Sequence, residues 1–292
     1  MRNNPKPYTM KKLLSLLVLV ATVLAAASCG TKKVEAPKMI VLYYSQTGNT
    51  QLVAETIANA LGADIEALEA EIPYNGTYQE TIERCLIERE QGTIPAIQPV
   101  AANVADYDII FLGYPVWFGT YAPPVAAWLN EVDLTGKKVV PFCTFGSGGL
   151  DSSIKDLKAK QPGAEVLPGY GVRAARMDAV PAEVDQFLKR SRFLEGEFVK
   201  LDEFPEQHPV SEEEAAIFDA AVKDYRMMNA KASTVASRAL PNGTEYLFTA
   251  VDQPRQAPKD APKDAPKMEP RSMQVYVTVI EGEDPVFTQV VR

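Results

Sequence analysis

The sequence predicts a doubly wound α/β domain, a five-stranded parallel sheet covered by helices, followed by a small C-terminal α+β module. Three observations carry this. The runs Met39–Tyr44, Ile109–Tyr114 and Val139–Phe145 are almost wholly apolar. Such runs suit strands buried on both faces, not strands with one wet face. Between them lie stretches with apolar residues at helical spacing, so strands and helices alternate as in βαβ units. From Ser233 the pattern changes to short alternating segments with a Pro241-Asn242-Gly243 turn, which is antiparallel character.

Taken in order, the first strand ends near Tyr44. A helix then carries Val53, Ile57 and Leu61 at i, i+4, i+8. Asp64–Ala67 is a short second strand, and a helix is expected around Tyr78–Glu90. Ile109–Tyr114 is the third strand, followed by a helix striped with Val125, Trp128 and Leu129. The fourth strand is Val139–Phe145. Pro141 cannot donate to a ladder, so a bulge or local gap in pairing is expected there. A helix with Ile154 and Leu157, a fifth strand near Glu165–Leu167, and a helix with Val184, Phe187 and Leu188 complete a domain over residues 38–192.

Residues 193–210 read as a linker, with Pro205 and Pro209. Residues 211–292 form the module. Ser211 followed by three glutamates reads as a capped helix start. Four strands follow, at 233–240, 244–251, 273–280 and 286–291. Within a loop at 253–271 the repeat A-P-K-D-A-P-K-D-A-P-K has no apolar residue larger than alanine apart from proline, so it is expected to stay solvated. Thr234-Val235 and Gly243–Tyr246 give this helix-plus-meander a faint similarity to cystatin-type modules.

The N-terminus reads as an address. Lys11 and Lys12 precede an apolar stretch from Leu13 to Ala27, too short to span a bilayer, which needs about 20 residues. Ala26-Ala27-Ser28-Cys29 resembles a bacterial lipobox, where the cysteine is lipidated and becomes the first mature residue. Residues 1–28 are then a lipoprotein signal peptide with Met10 as the natural initiator, Cys29 is the lipidation site, and 29–37 is a tether. The chain is expected outside the cytoplasm, anchored to a bacterial membrane.

The chain has 292 residues, with 30 Lys+Arg against 38 Asp+Glu, a formal charge of −8. Loss of residues 1–28 removes Arg2, Lys6, Lys11 and Lys12 and no acid, leaving −12. A net acidic chain without a basic run in its body is a poor nucleic-acid binder. One His and three Cys leave little for a metal site. Cys143 sits within an apolar strand and reads as core, and His208 in its Pro-flanked segment reads as solvated.

The chemistry concentrates at strand ends. Ser45-Gln46-Thr47-Gly48-Asn49-Thr50 closes the first strand and opens the first helix. Unpaired N–H groups and the helix dipole favour an anion there. The hydroxyls of Ser45, Thr47 and Thr50 and the Asn49 amide are candidate donors, and Gly48 allows close approach. The segment has no Lys or Arg and lacks both G-K-[ST] and G-x-G-x-x-G, so it is neither a nucleotide P-loop nor a dinucleotide fingerprint.

With those residues in view, S-Q-T-G-N-T resembles the flavodoxin phosphate loop. Gly113–Gly119 (G-Y-P-V-W-F-G) resembles the flavodoxin loop that covers one face of the isoalloxazine, and Thr144–Gly149 (T-F-G-S-G-G) resembles its second flavin loop. The resemblance covers residues 38–192. It implies a strand order of 2-1-3-4-5, FMN as cofactor, and electron transfer at the flavin. The cofactor-binding residues are then Ser45, Gln46, Thr47, Gly48, Asn49 and Thr50; Pro115, Val116, Trp117, Phe118 and Gly119; and Thr144, Phe145, Gly146, Ser147, Gly148 and Gly149. Trp117 would stack on the ring, and the Gly119 carbonyl would meet flavin N5. The second flavin loop departs from the many flavodoxins that place a Tyr there, which leaves one ring face open. The expected function is an extracytoplasmic electron carrier serving a redox partner protein or a small-molecule acceptor. The alternatives are a quinone or nitro-compound reductase and a flavin-free scaffold that binds a partner through the C-terminal module.

Overall fold

A computed structural model describes residues 36–225, 228–253 and 271–292. The expected signal peptide with Cys29, most of the expected tether and nearly all of the 253–271 loop lie outside these residues. Among the described residues no helix is long and apolar enough to cross a membrane.

The first sheet has parallel strands β1 (Met39–Tyr43), β2 (Asp64–Ala67), β3 (Ile109–Trp117), β5 (Lys138–Phe145) and the pair β6 (Glu165–Val166) and β7 (Tyr170–Arg173). Its order is β2-β1-β3-β5-β6, with β7 also on β5, while β4 (Thr120–Tyr121) makes a hairpin with β3. This is the 2-1-3-4-5 order, with the fifth strand split in two. The split lies beside Pro141. The register with β5 runs Val139↔Val166 and resumes at Phe142↔Tyr170, so three edge residues face two. The missing N–H of Pro141 thus falls where no continuous ladder exists.

The apolar runs are buried on both faces. Ile40, Leu42, Ile110, Leu112, Val139 and Cys143 join one core with Val125, Trp128, Leu129 and Leu157, from helices α3 (Pro123–Glu131) and α4 (Leu150–Lys160). Val41, Tyr43, Ile109, Phe111, Val140 and Phe142 join the other with Val53, Ile57, Val184 and Leu188, from α1 (Asn49–Leu61) and α5 (Val180–Arg190). Alternate residues of each strand feed opposite cores because successive side chains point to opposite faces. Gly113 is fixed by packing, since a Cβ there would lie 2.2 Å from the Phe142 ring.

Helix α2 (Tyr78–Gln91) starts at a capping box between Thr77 and Glu80 and ends on Gly92 at φ +65°. Helix α6 (Glu212–Val222) starts at a second capping box, Ser211 with Glu214. It packs Phe218 onto an antiparallel sheet in the order β12-β11-β10-β9-β8, comprising β8 (His208–Pro209), β9 (Ala230–Leu240), β10 (Gly243–Asp252), β11 (Ser272–Ile280) and β12 (Val286–Val291).

The stretch 193–210 carries contacts of its own. Phe193 and Leu194 pack into the first domain. Phe204 meets Tyr276 at 6.0 Å, and the Gln207 side-chain oxygen accepts from Thr234 and Thr249 at 2.7 Å each. Pro37–Arg292 is accordingly one compact unit by its contacts.

Candidate flavin site

The three loops expected to carry chemistry converge at the C-terminal ends of β1, β3 and β5. They line a cavity of about 400 Å³ together with α2. Of the residues singled out in the sequence, Gln46, Thr47, Asn49, Thr50, Pro115, Val116, Trp117, Phe118, Thr144, Phe145 and Gly146 face it. Tyr78, Thr81, Ile82, Cys85 and Ala174 also line it. No lining residue carries a formal charge at neutral pH. The contribution of α2 was not readable from its sequence, because its one-sided polar pattern carries no ligand motif. Among the described residues no cluster of His, Cys, Asp or Glu could hold a metal.

At one end lies the start of α1. Gly48 is its cap, at φ +88°, and no side chain caps the helix. The first-turn N–H groups have no intrahelical acceptor, and no acid occupies that turn, so the positive end of the dipole stays open to an anion. The polar side chains of this loop divide between two tasks. The Ser45 hydroxyl accepts from the Gly48 N–H at 3.2 Å and shapes the turn. The Gln46 amide donates to the Tyr74 carbonyl at 2.8 Å and to the Thr81 hydroxyl at 2.9 Å, tying the loop to α2. Thr50 is 1% exposed, and its hydroxyl bonds that of Thr144 at 2.8 Å, tying the first loop to the end of β5. This leaves Thr47 and Asn49, with the backbone N–H groups, as the lining donors of this loop that are not committed to a protein partner.

At the other end stand Trp117 and Phe118. The indole meets Tyr44 edge-on at 5.8 Å and Tyr74 at 5.2 Å. Tyr74 is held in turn. Its hydroxyl donates to Glu88 at 2.7 Å, the Arg84 guanidinium lies 3.6 Å from its ring, and Arg84 pairs with Glu88 at 2.8 Å. Burial raises the hydroxyls of Tyr44 and Tyr74 far above the ordinary tyrosine value, so both stay neutral. Burial and the nearby Glu88 push the Cys85 thiol up to about 11, against the opposing pull of Arg84 and Arg89. Cys85 at neutral pH is therefore a thiol and not a thiolate nucleophile.

Phe118 and Gly119 are the two central residues of the β3–β4 hairpin, at φ +51° and +84°. Two positive φ values in a two-residue loop match a type I′ turn, which favours Asn or Gly in place of Phe. The Gly119 carbonyl accepts from the Ser152 hydroxyl at 2.5 Å, which fixes this peptide against α4. Gly149, at φ +117°, lets the third loop lie against Val116, where a Cβ would come within 2.6 Å. Ser147 and Gly148 turn the other way. The Ser147 carbonyl accepts from the Val290 N–H at 2.6 Å, and a Cβ on Gly148 would lie 2.1 Å from the Val290 carbonyl. Cys143, expected as core, is fully buried, and both it and Cys85 are free thiols.

The model of the family described as Flavodoxin matches residues 38–185, half of the chain. A curated relative, an NAD(P)H dehydrogenase (quinone) of Cupriavidus metallidurans, is 31% identical over 99 residues, covering 32% of this chain and 46% of that protein. An NAD(P)H dehydrogenase (quinone) 3 of Rhizobium meliloti is 30% identical over 129 residues, covering 40% and 58%. The chain thus spans about half the length of these relatives. A flavoprotein of Lactobacillus acidophilus, solved in complex with FMN, is 24% identical, covers 47% of this chain and 93% of its own, and superposes with a TM-score of 0.43. The three loops that meet at one cavity are those of the matched region, and the chain belongs to the flavodoxin family.

Proposed function

We propose that this chain is an FMN-binding electron-transfer flavoprotein, held outside the cytoplasm by lipid on Cys29. The observation that carries this is the uncharged cavity of about 400 Å³, with open helix N–H groups at one end and Trp117 and Phe118 at the other. FMN is the cofactor that flavodoxin membership brings, and the residues fit it. Its phosphate suits a site built of neutral donors and a helix dipole, and its planar ring suits an aromatic wall. Bound FMN would supply reversible electron transfer, and the protein would bind, orient and tune it. Thr47, Asn49 and the first-turn N–H groups would hold the phosphate. Trp117 and Phe118 would flank the ring, with Tyr44 and Tyr74 bracing the indole from behind.

A second reading is an NAD(P)H-linked quinone reductase, favoured by the names of the two curated relatives. Four measurements test these readings. Purified chain should be yellow, and Thr47→Ile should raise the FMN dissociation constant at least tenfold. Unchanged affinity would remove the phosphate assignment, and failure to bind FMN at all would support the flavin-free scaffold. Rapid bleaching by NAD(P)H with turnover of a quinone would favour the reductase. Cys29→Ser should release the chain from the membrane fraction, and continued anchoring would overturn the lipoprotein reading.

A further inference from the structure

We propose that the C-terminal sheet is part of the flavin site, and that Arg173 and strand β12 act together as a clamp that positions the third flavin loop. The inference rests on the FMN reading above and goes beyond it, because the matched family region stops at residue 185.

Three contacts converge on three consecutive residues, Gly146, Ser147 and Gly148. The Arg173 side chain reaches both ways from the end of β7. Its Nε donates to the Gly146 carbonyl at 2.9 Å, and its Nη1 donates to the Phe287 carbonyl at 2.6 Å. The guanidinium also lies 4.0 Å from the Phe287 ring centre and 5.7 Å from that of Tyr225. Next along the loop, the Ser147 carbonyl accepts from the Val290 N–H at 2.6 Å. Then Gly148 abuts the Val290 carbonyl so closely that no side chain fits. Gly146 itself lines the flavin cavity.

The arrangement has a physical logic. β12 is the last strand of its sheet and pairs only with β11, so its outward N–H and C=O groups need partners. The flavin loop supplies one. The loop in turn is glycine-rich and gains from outside the order its own residues do not give it. Arg suits the bridging position because its planar fork can donate in two directions at once, which a lysine ammonium cannot do with the same geometry. Arg173 contacts the loop backbone and does not line the cavity, so it is a positioning residue.

The clamp acts on the loop beside the ring and not on the phosphate loop, and the test exploits this. FMN and riboflavin are titrated into full-length wild-type chain, Arg173→Gln and Arg173→Lys, with thermal unfolding of each apo chain alongside. The expected result is that Arg173→Gln weakens FMN and riboflavin equally, by about tenfold, and shifts the visible flavin spectrum. The ratio of the two affinities stays at the wild-type value, and Arg173→Lys falls between. Wild-type affinity and spectrum in Arg173→Gln would overturn the clamp, as would a loss confined to FMN. If Arg173→Gln does not fold, Val290→Pro is the second variant. It removes the outward N–H at an edge position, where proline is tolerated, and also the Val290 side chain, 5% exposed in the C-terminal core, so its apo unfolding is read alongside, and the same equal weakening is expected. Wild-type affinity in that variant would likewise overturn the proposal. Failure of wild-type chain to bind either ligand would defeat the FMN reading itself, a different result from any of these.

Discussion

Phe118→Asn separates holding the fold from holding the ring. Phe118 is 49% exposed and sits at φ +51°. A left-handed conformation costs an ordinary residue about 1–2 kcal/mol, and Asn tolerates it. Against that relief, the half-buried ring contributes about 1 kcal/mol of its full burial value. The Arg89 guanidinium, 5.1 Å from the ring centre, adds about 0.5 kcal/mol at an exposed site. The two sides nearly cancel, so urea unfolding of the apo chain should change by no more than about 0.5 kcal/mol. FMN affinity should respond quite differently. Loss of an aromatic wall costs about 1.4 kcal/mol, a tenfold rise in dissociation constant, read by quenching of flavin fluorescence. The reasoning fails if the apo chain loses the several kcal/mol typical of a core aromatic while FMN binding is unmoved. Phe118 would then be structural, and its strained backbone would be unrelated to ligand.

Further predictions concern the core and the thiol behind the site. Gly113→Ala places a methyl 2.2 Å from the buried Phe142 ring and should destabilise by about 3 kcal/mol, the upper end for overpacking; a thermal midpoint within a degree of wild type would contradict the packing. Cys85, pushed up to about 11 from an ordinary value of 9.0, is held neutral by the fold. The unfolded thiol ionises first, so this contribution to stability is complete below pH 9 and is lost as pH rises from about 9 to 11. Alkylation of Cys85 in the apo chain should keep accelerating toward pH 11. A plateau just above 9 would show that the thiol is solvated.

The loops that line the candidate cavity were legible because their chemistry is local. A neutral run of hydroxyls and an amide around Gly48, placed at a strand end, specifies an open helix start wherever that strand lies. Which of those polar groups stay free for a ligand was not legible. Gln46, Ser45 and Thr50 look equivalent to Thr47 and Asn49 along the chain. Only the approach of Thr81, Gly48 and Thr144 commits the first three to protein partners. The glycines of the third loop show the same limit. The resemblance makes Gly148 a cofactor-binding residue, and the structure uses its missing side chain to admit Val290, 142 residues later.

The sequence by itself determined the parallel sheet and the strand ends that carry the loops, and its resemblance to flavodoxins implied the strand order. Burial on both faces needs continuous apolar runs, and βαβ connections leave those ends little freedom. Only the tertiary structure decided that α2 walls the cavity, that residues 193–210 dock and do not merely link, and that a second sheet contacts the third loop. Each of these depends on contacts between residues far apart in the chain, made through side chains, backbone carbonyls and bare glycines. Such contacts have no periodicity and no motif, so nothing local records them.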